Sequence, residues 1–158
     1  MKKLGMLFFT LLFVILVTGC EGTEKMQKLV CTNTQKEEGM DIEQVISMTY
    51  KNDKLNYMSV EINTKITDSI IQENWENFKN SMNEENPEYN KDGVVLKIEA
   101  DDKNYEYKTL LDIDLEKATV EALESQGFGD LKKDNSTLEE NKKLAEKDGA
   151  VCEVKSIE

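Results

Sequence analysis

Arginine and histidine are absent from this chain, and each absence removes a class of function. Arginine is the usual reader of phosphates and guanines. A chain without it, carrying 32 acidic residues against 20 basic ones, is not built to hold nucleic acid. Histidine is the commonest general acid–base residue and a principal zinc ligand. Ser-His-Asp and Cys-His machinery cannot be assembled from this chain alone. The acidity also disfavours peripheral binding to an anionic membrane surface. Proline and tryptophan occur once each, at Pro87 and Trp75. Long apolar runs are missing, with one exception at the N-terminus.

That exception begins after Met1-Lys2-Lys3, covers residues 4–17 and runs into Val17-Thr18-Gly19-Cys20. A membrane-spanning helix needs roughly 20 apolar residues. A secretory signal has about 7–15, with positive charge before them and small residues at the cleavage site. Residues 4–17 meet the second description. The segment resembles bacterial lipoprotein signal peptides, whose lipobox ends in a small residue and then the modified cysteine. The resemblance implies cleavage behind Gly19 and a diacylglyceryl group on the sulfur of Cys20, with palmitate as an expected acyl chain. The expected location is the extracytoplasmic face of the cell membrane, and the lipid on Cys20 is the expected membrane contact. Two acyl chains bury enough methylene groups for stable attachment, where one binds marginally.

The chain then divides into a signal over 1–19, a lipidated tether over 20–28 and a single α+β domain over 29–158. Removal of residues 1–19 from the 158-residue chain leaves 139, ample for one core. It also removes two lysines and no acids, taking the formal charge from −12 to −14. Cys31 and Cys152 are left as an even pair in an oxidising compartment. Both lie in strand-like segments near the two ends of the domain. They are expected to form a disulfide joining the first and last strands.

Strands are expected over 28–34, 42–51 and 55–66. Ile46, Met48 and Tyr50 alternate in the second, and Met58, Val60 and Ile62 in the third. Such period-2 alternation marks a sheet with one wet face. Asn52-Asp53-Lys54 is turn chemistry and makes a hairpin of the last two. A helix capped by Thr67 or Asp68 follows, with Ile71, Trp75, Phe78 and Met82 on one face. A second hairpin carries Val94, Leu96, Ile98 and Ala100, turns at Asp101-Asp102-Lys103, and continues through Tyr105, Tyr107, Leu111 and Ile113. Asp114 is expected to cap a helix reaching Gln126, which ends at Gly127 with Phe128 against Leu123. Ser136-Thr137-Leu138-Glu139 reads as a capping box for a third helix stopping near Gly149. The expected order is β-ββα-ββα-α-β, an antiparallel sheet with helices packed on one face.

Chemistry is sparse in this frame. Acidic clusters stand at Glu37-Glu38, Glu84-Glu85, Asp101-Asp102 and Asp112/Asp114. Paired carboxylates suit calcium or acid–base work. None matches a calcium-loop pattern, and turn and cap chemistry already accounts for Asp101-Asp102 and Asp114. Trp75 reads as core. Tyr50, Tyr57, Tyr105 and Tyr107 lie on the two hairpins, which would present them together as a recognition surface if the sheet face carrying them is exposed; ordinary strand residues are the other reading.

The hairpin–helix–hairpin–helix layout, the lipobox, Tyr50-Lys51-Asn52-Asp53-Lys54 and Leu123-Glu124-Ser125-Gln126-Gly127-Phe128 together resemble the YehR-like family of small bacterial lipoproteins over 42–132. Cys31 and Cys152 are not part of that pattern. The resemblance implies a fold and a location, and no catalytic residues. The functional expectation is a non-enzymatic, lipid-anchored domain that binds a protein or small-molecule partner, with no cofactor, no metal and no nucleic acid. The competing expectations are a small solute-binding lipoprotein of a transport system and a carboxylate-dependent cell-wall enzyme.

Overall fold

A computed structural model describes residues 25–133 and 136–157. These form a seven-stranded antiparallel sheet and four helices. Strands β1 (Met26–Glu37), β2 (Met40–Lys51) and β3 (Lys54–Ile66) make a meander. Helices α1 (Ser69–Glu73) and α2 (Trp75–Glu85) follow. Then come β4 (Tyr89–Lys91), β5 (Val94–Asp101), β6 (Glu106–Asp114), α3 (Val120–Ser125), α4 (Leu138–Lys147) and β7 (Val151–Ile157). The sheet order is β4-β5-β6-β3-β2-β1-β7. The last strand therefore returns to lie beside the first.

The β2–β3 hairpin closes on Asn52 and Asp53, both at positive φ (52° and 62°). A two-residue turn with both residues left-handed matches the twist of its strands, and Asn and Asp tolerate that conformation well. The strands bury one side. Leu29 and Cys31 of β1 face Met48 and Ile46 of β2, Met58 of β3 faces Ile113 of β6, and Ile113 faces Val94 of β5. Leu29, Met48, Met58, Val94 and Ile113 form the main core with Leu123 of α3 and Leu138 of α4. A second cluster gathers Ile66, Tyr107 and Trp75, with Ile71, Phe78 and Met82 against it. Strand register puts Ile66 and Tyr107 on the same sheet face as Met58 and Ile113, because each pair is separated by an even number of residues.

Several boundaries depart from the sequence expectations, and the observed order is βββ-αα-βββ-αα-β rather than β-ββα-ββα-α-β. The helix expected after Asp68 is two helices broken at Asn74, whose side chain donates back to the Ile70 carbonyl. Asp68 caps the first, accepting from Ile70 N–H and Ile71 N–H. The face Ile71, Trp75, Phe78, Met82 survives the break. A short strand, β4, was not expected; it pairs with β5 across Asp92-Gly93, where φ is 50° and 78°. Asp-Gly is a strong hairpin signal. Helix α3 is shorter than expected. Asp114 is held in β6 opposite Tyr57, its carbonyl accepts from Lys117 and Ala118, and the helix begins only after the cap Thr119. The α3 terminus is as expected: Gly127 at φ 80°, Phe128 N–H donating to the Leu123 carbonyl and Gly127 N–H to that of Glu124. The capping box of α4 lies one residue later, between Thr137 and Glu140 rather than Ser136 and Glu139. Both spacings satisfy the pattern, and only one residue can take the cap geometry.

Candidate functional site

Strand residues of the opposite parity to the core line the other side of the sheet, and their register sets ion pairs side by side. Lys36 of β1 lies opposite Asp41 of β2, 3.7 Å apart. Lys65 of β3 lies opposite Glu106 of β6, at 3.0 Å. Diagonally, Lys108 reaches Glu61 at 2.8 Å, and the Asn63 amide donates to the same carboxylate at 3.0 Å. Those two donors hold the Glu61 carboxyl below its ordinary range, Lys108 first and Asn63 second, and Glu61 in turn raises the Lys108 ammonium. A groove of about 770 Å³ runs over this end of the sheet, bordered by Lys36, Asp41, Asn63, Lys65, Glu106 and Lys108. Its volume lies within the range of small-molecule sites, roughly 300–1,000 Å³, and its lining is more charged than such sites usually are.

Farther along the same side, Tyr57 donates to Asp112 at 2.6 Å. Burial, then the Asp112 hydrogen bond and the charges of Asp112 and Asp114, raise the Tyr57 hydroxyl well above its ordinary value. It stays protonated and acts as a donor.

The four tyrosines do not come together. Tyr50 and Tyr107 are buried, each 1% exposed. Tyr107 donates to Asn83 of α2 at 3.1 Å, and Asn141 of α4 donates to the Tyr50 hydroxyl at 2.8 Å. Tyr105, at φ 52°, packs edge-on against Trp75 with ring centroids 5.8 Å apart. Tyr57 alone joins the polar side. The expected shared aromatic surface is therefore absent among the described residues, because strand parity sends Tyr50 and Tyr57 to opposite faces.

Trp75 lies in the core, 5% exposed, stacked on Phe78. Its indole N–H donates to Asp102 at 2.8 Å, and Lys79 donates to the same oxygen at 2.6 Å while pairing with Glu76. These donors, Lys79 ahead of Trp75, lower the Asp102 carboxyl, and Asp102 ahead of Glu76 raises Lys79. The β5–β6 turn is thereby clipped to α2. Asp101 closes that turn by accepting from Lys103 N–H, Asn104 N–H and the Asn104 amide, and is lowered chiefly by the last. Asp114 accepts from Glu116 N–H and Lys117. Glu37, Glu38, Glu84 and Glu85 are exposed. Among the described residues, no three of His, Cys, Asp and Glu converge to hold a metal.

Cys31 and Cys152 form the expected disulfide, directly opposite each other on β1 and β7. Cys20, with the signal over 1–19, lies outside the described residues. No helix among the described residues is long and apolar enough to cross a membrane.

No protein-family model and no curated protein matches the sequence. Solved structures similar to the chain include an NMR structure of a protein from Streptococcus pneumoniae TIGR4. It is 17% identical, covers 87% of this chain and 90% of that one, and has a TM-score of 0.45. The NMR structure of the E. coli YehR protein is 20% identical, covers 84% of this chain and 93% of that one, and has a TM-score of 0.46. Likeness at this level assigns no activity.

Proposed function

We propose that this chain is a lipid-anchored, non-enzymatic binding domain on the extracytoplasmic face of a bacterial cell membrane. The anchor is a diacylglyceryl group on Cys20. The observation that carries the reading is the Cys31–Cys152 disulfide, since such bridges form and persist in oxidising compartments outside the cytosol. It agrees with the lipobox read in the sequence as a pointer to export. The ligand surface is the polar sheet side with its groove, which takes a small molecule or a protein segment bearing both charges. The non-enzymatic reading is supported by the carboxylates of Asp101, Asp102, Asp112 and Asp114, each already accepting a hydrogen bond from a neighbour. We further infer that all four helices lie on one sheet face and that the fold is YehR-like. Support comes from the common parity of the buried strand residues, and from the Asn52-Asp53 turn and the Gly127 helix end.

The test is the mass of the protein made with and without a globomycin-type inhibitor of lipoprotein signal cleavage. The untreated protein is expected to lack residues 1–19 and to carry diacylglycerol on Cys20, and the inhibitor should leave a heavier precursor. An unchanged mass overturns the anchor.

A further inference from the structure

The sheet ends differently on its two sides. β4, at one edge, is three residues long, the kind of short edge that resists pairing. β7, at the other, runs seven residues, and among the described residues no strand lies on its outer side. The disulfide holds this edge strand against β1.

The direction of its peptide groups follows from the pairing. Cys31 and Cys152 have Cα atoms 4.1 Å apart, the narrow spacing of an antiparallel pair that exchanges no hydrogen bonds. The N–H and C=O of Cys152 therefore point away from β1. In an antiparallel ladder every second residue does the same, so Val154 and Ser156 also offer both groups to the open edge. Val151, Glu153, Lys155 and Ile157 turn theirs toward β1.

We propose that β7 is a homodimerisation strand, pairing antiparallel with β7 of a second copy about a two-fold axis at Val154. In this register Val154 faces Val154, and Cys152 faces Ser156 of the second copy. The residues that exchange hydrogen bonds are those whose groups already point outward. On the polar side Glu153 meets Lys155 of the second copy, and Lys155 meets its Glu153. Within one chain these two residues are 3.1 Å apart, so the pairing closes a cluster of four alternating charges. Val151 and Ile157, the exposed large hydrophobics of this strand at 79% and 38%, cover each other across the axis. The neighbouring registers fail. An axis at Glu153 sets the two glutamates face to face, and an axis at Lys155 the two lysines; like charges directly opposite destabilise a ladder. Charged residues commonly keep an edge strand from pairing. Here their mirrored order about Val154 favours a second copy of the same strand in that register over the two next to it. The result doubles the seven-stranded sheet. A seven-residue edge is a small interface of the weak class, so association is expected at micromolar concentrations.

Sedimentation equilibrium of the full chain in density-matched detergent tests this. The wild type is expected to show a monomer–dimer equilibrium. Lys155→Glu should weaken it about ten-fold or more, because two attractive pairs become repulsive. The double variant Glu153→Lys/Lys155→Glu should restore it, since it recreates opposite charges in the same register. Ser156→Pro removes only an outward N–H and should abolish the dimer while leaving the β1 ladder bonded. A wild type that stays monomeric through the micromolar range overturns the proposal, and so does a charge swap that fails to recover the loss in Lys155→Glu.

Discussion

Reduction of the Cys31–Cys152 bridge is expected to lower stability more than any single side-chain change. The bridge closes a sequence separation of 121 residues, almost the whole described domain. The chain-entropy relation gives about 4.9 kcal/mol for a loop of that size at 25 °C. Domain stabilities are roughly 5–15 kcal/mol, so the bridge is a large share of the total. With about 2.1 cal/mol/K of unfolding entropy per residue, the melting temperature should drop by about 15–20 °C. The loss arises mainly in the unfolded state, which gains freedom when the loop opens. The measurement is a pair of circular-dichroism melts, oxidised and reduced, with the Cys31→Ala/Cys152→Ala variant as a second reference. Urea titrations should show a larger m-value for the reduced form, because its unfolded chain exposes more surface. β7 pairs only with β1 among the described strands, so local peeling of β7 would mimic part of the effect. Hydrogen exchange separates the two. Global destabilisation speeds exchange at Val60 in β3 as well as at Glu153 in β7, whereas peeling spares Val60. Melts that agree within about 2 °C would refute the entropic account.

Asp102 has a lowered pKa, so its contribution is full above the unfolded value of about 3.9 and is lost as pH falls through the lower folded value. Urea midpoints at pH 7 and pH 3 should therefore differ less for Asp102→Asn than for the wild type, with Trp75 emission as the probe, and equal differences would count against the clip. Tyr57 has a raised pKa, so its contribution is full below about pH 10 and is lost as pH rises toward the folded value. Tyr57→Phe should flatten the fall in stability expected above about pH 10, checked by chemical denaturation at pH 9 and pH 11. Thr137→Ala removes the α4 cap and should cost about 1 kcal/mol in a urea titration, with helix content falling little.

The strands were legible because alternation with period 2 is a local record of a global arrangement. Ile46, Met48 and Tyr50 alternate because one side of β2 is core, and no partner strand need be known to see it. The Gly127 helix end was legible for a similar reason: a left-handed residue and its two hydrogen bonds are contained within six residues. Asp114 shows where such reading stops. Asp114 and Thr119 are both good caps, and distant ladder bonds disfavour the first: Asp114 N–H donates to the Gly93 carbonyl of the β4–β5 turn and Leu115 N–H to the Asn56 carbonyl of β3, which keeps Asp114 in the sheet. β4 left a signal in Asp92-Gly93, but three residues carry too little alternation to be read as a strand. The tyrosine surface failed on a point the sequence did contain. Tyr50 shares its parity with Met48, so its ring belonged to the core from the start.

Alternation marked a wet sheet face, but its ion pairs had no sequence signature because no single strand contains them. Lys36, Asp41, Lys65 and Glu106 come from four strands, and only the register brings them into two adjacent pairs. The same holds for chemistry in general on this chain. Histidine and arginine announce themselves by type, and both are missing. Carboxylates do so only by convergence, and here they are distributed to neighbours: Asp102 to Trp75 and Lys79, Asp112 to Tyr57, Asp114 to Lys117. What remains available for recognition is surface: a charged groove at one end of the sheet and an unpaired edge at its side. The edge depends on β7, which the Cys31–Cys152 bridge ties to β1, whereas no residue of β7 borders the groove, so reduction of the bridge is expected to act on the edge before the groove.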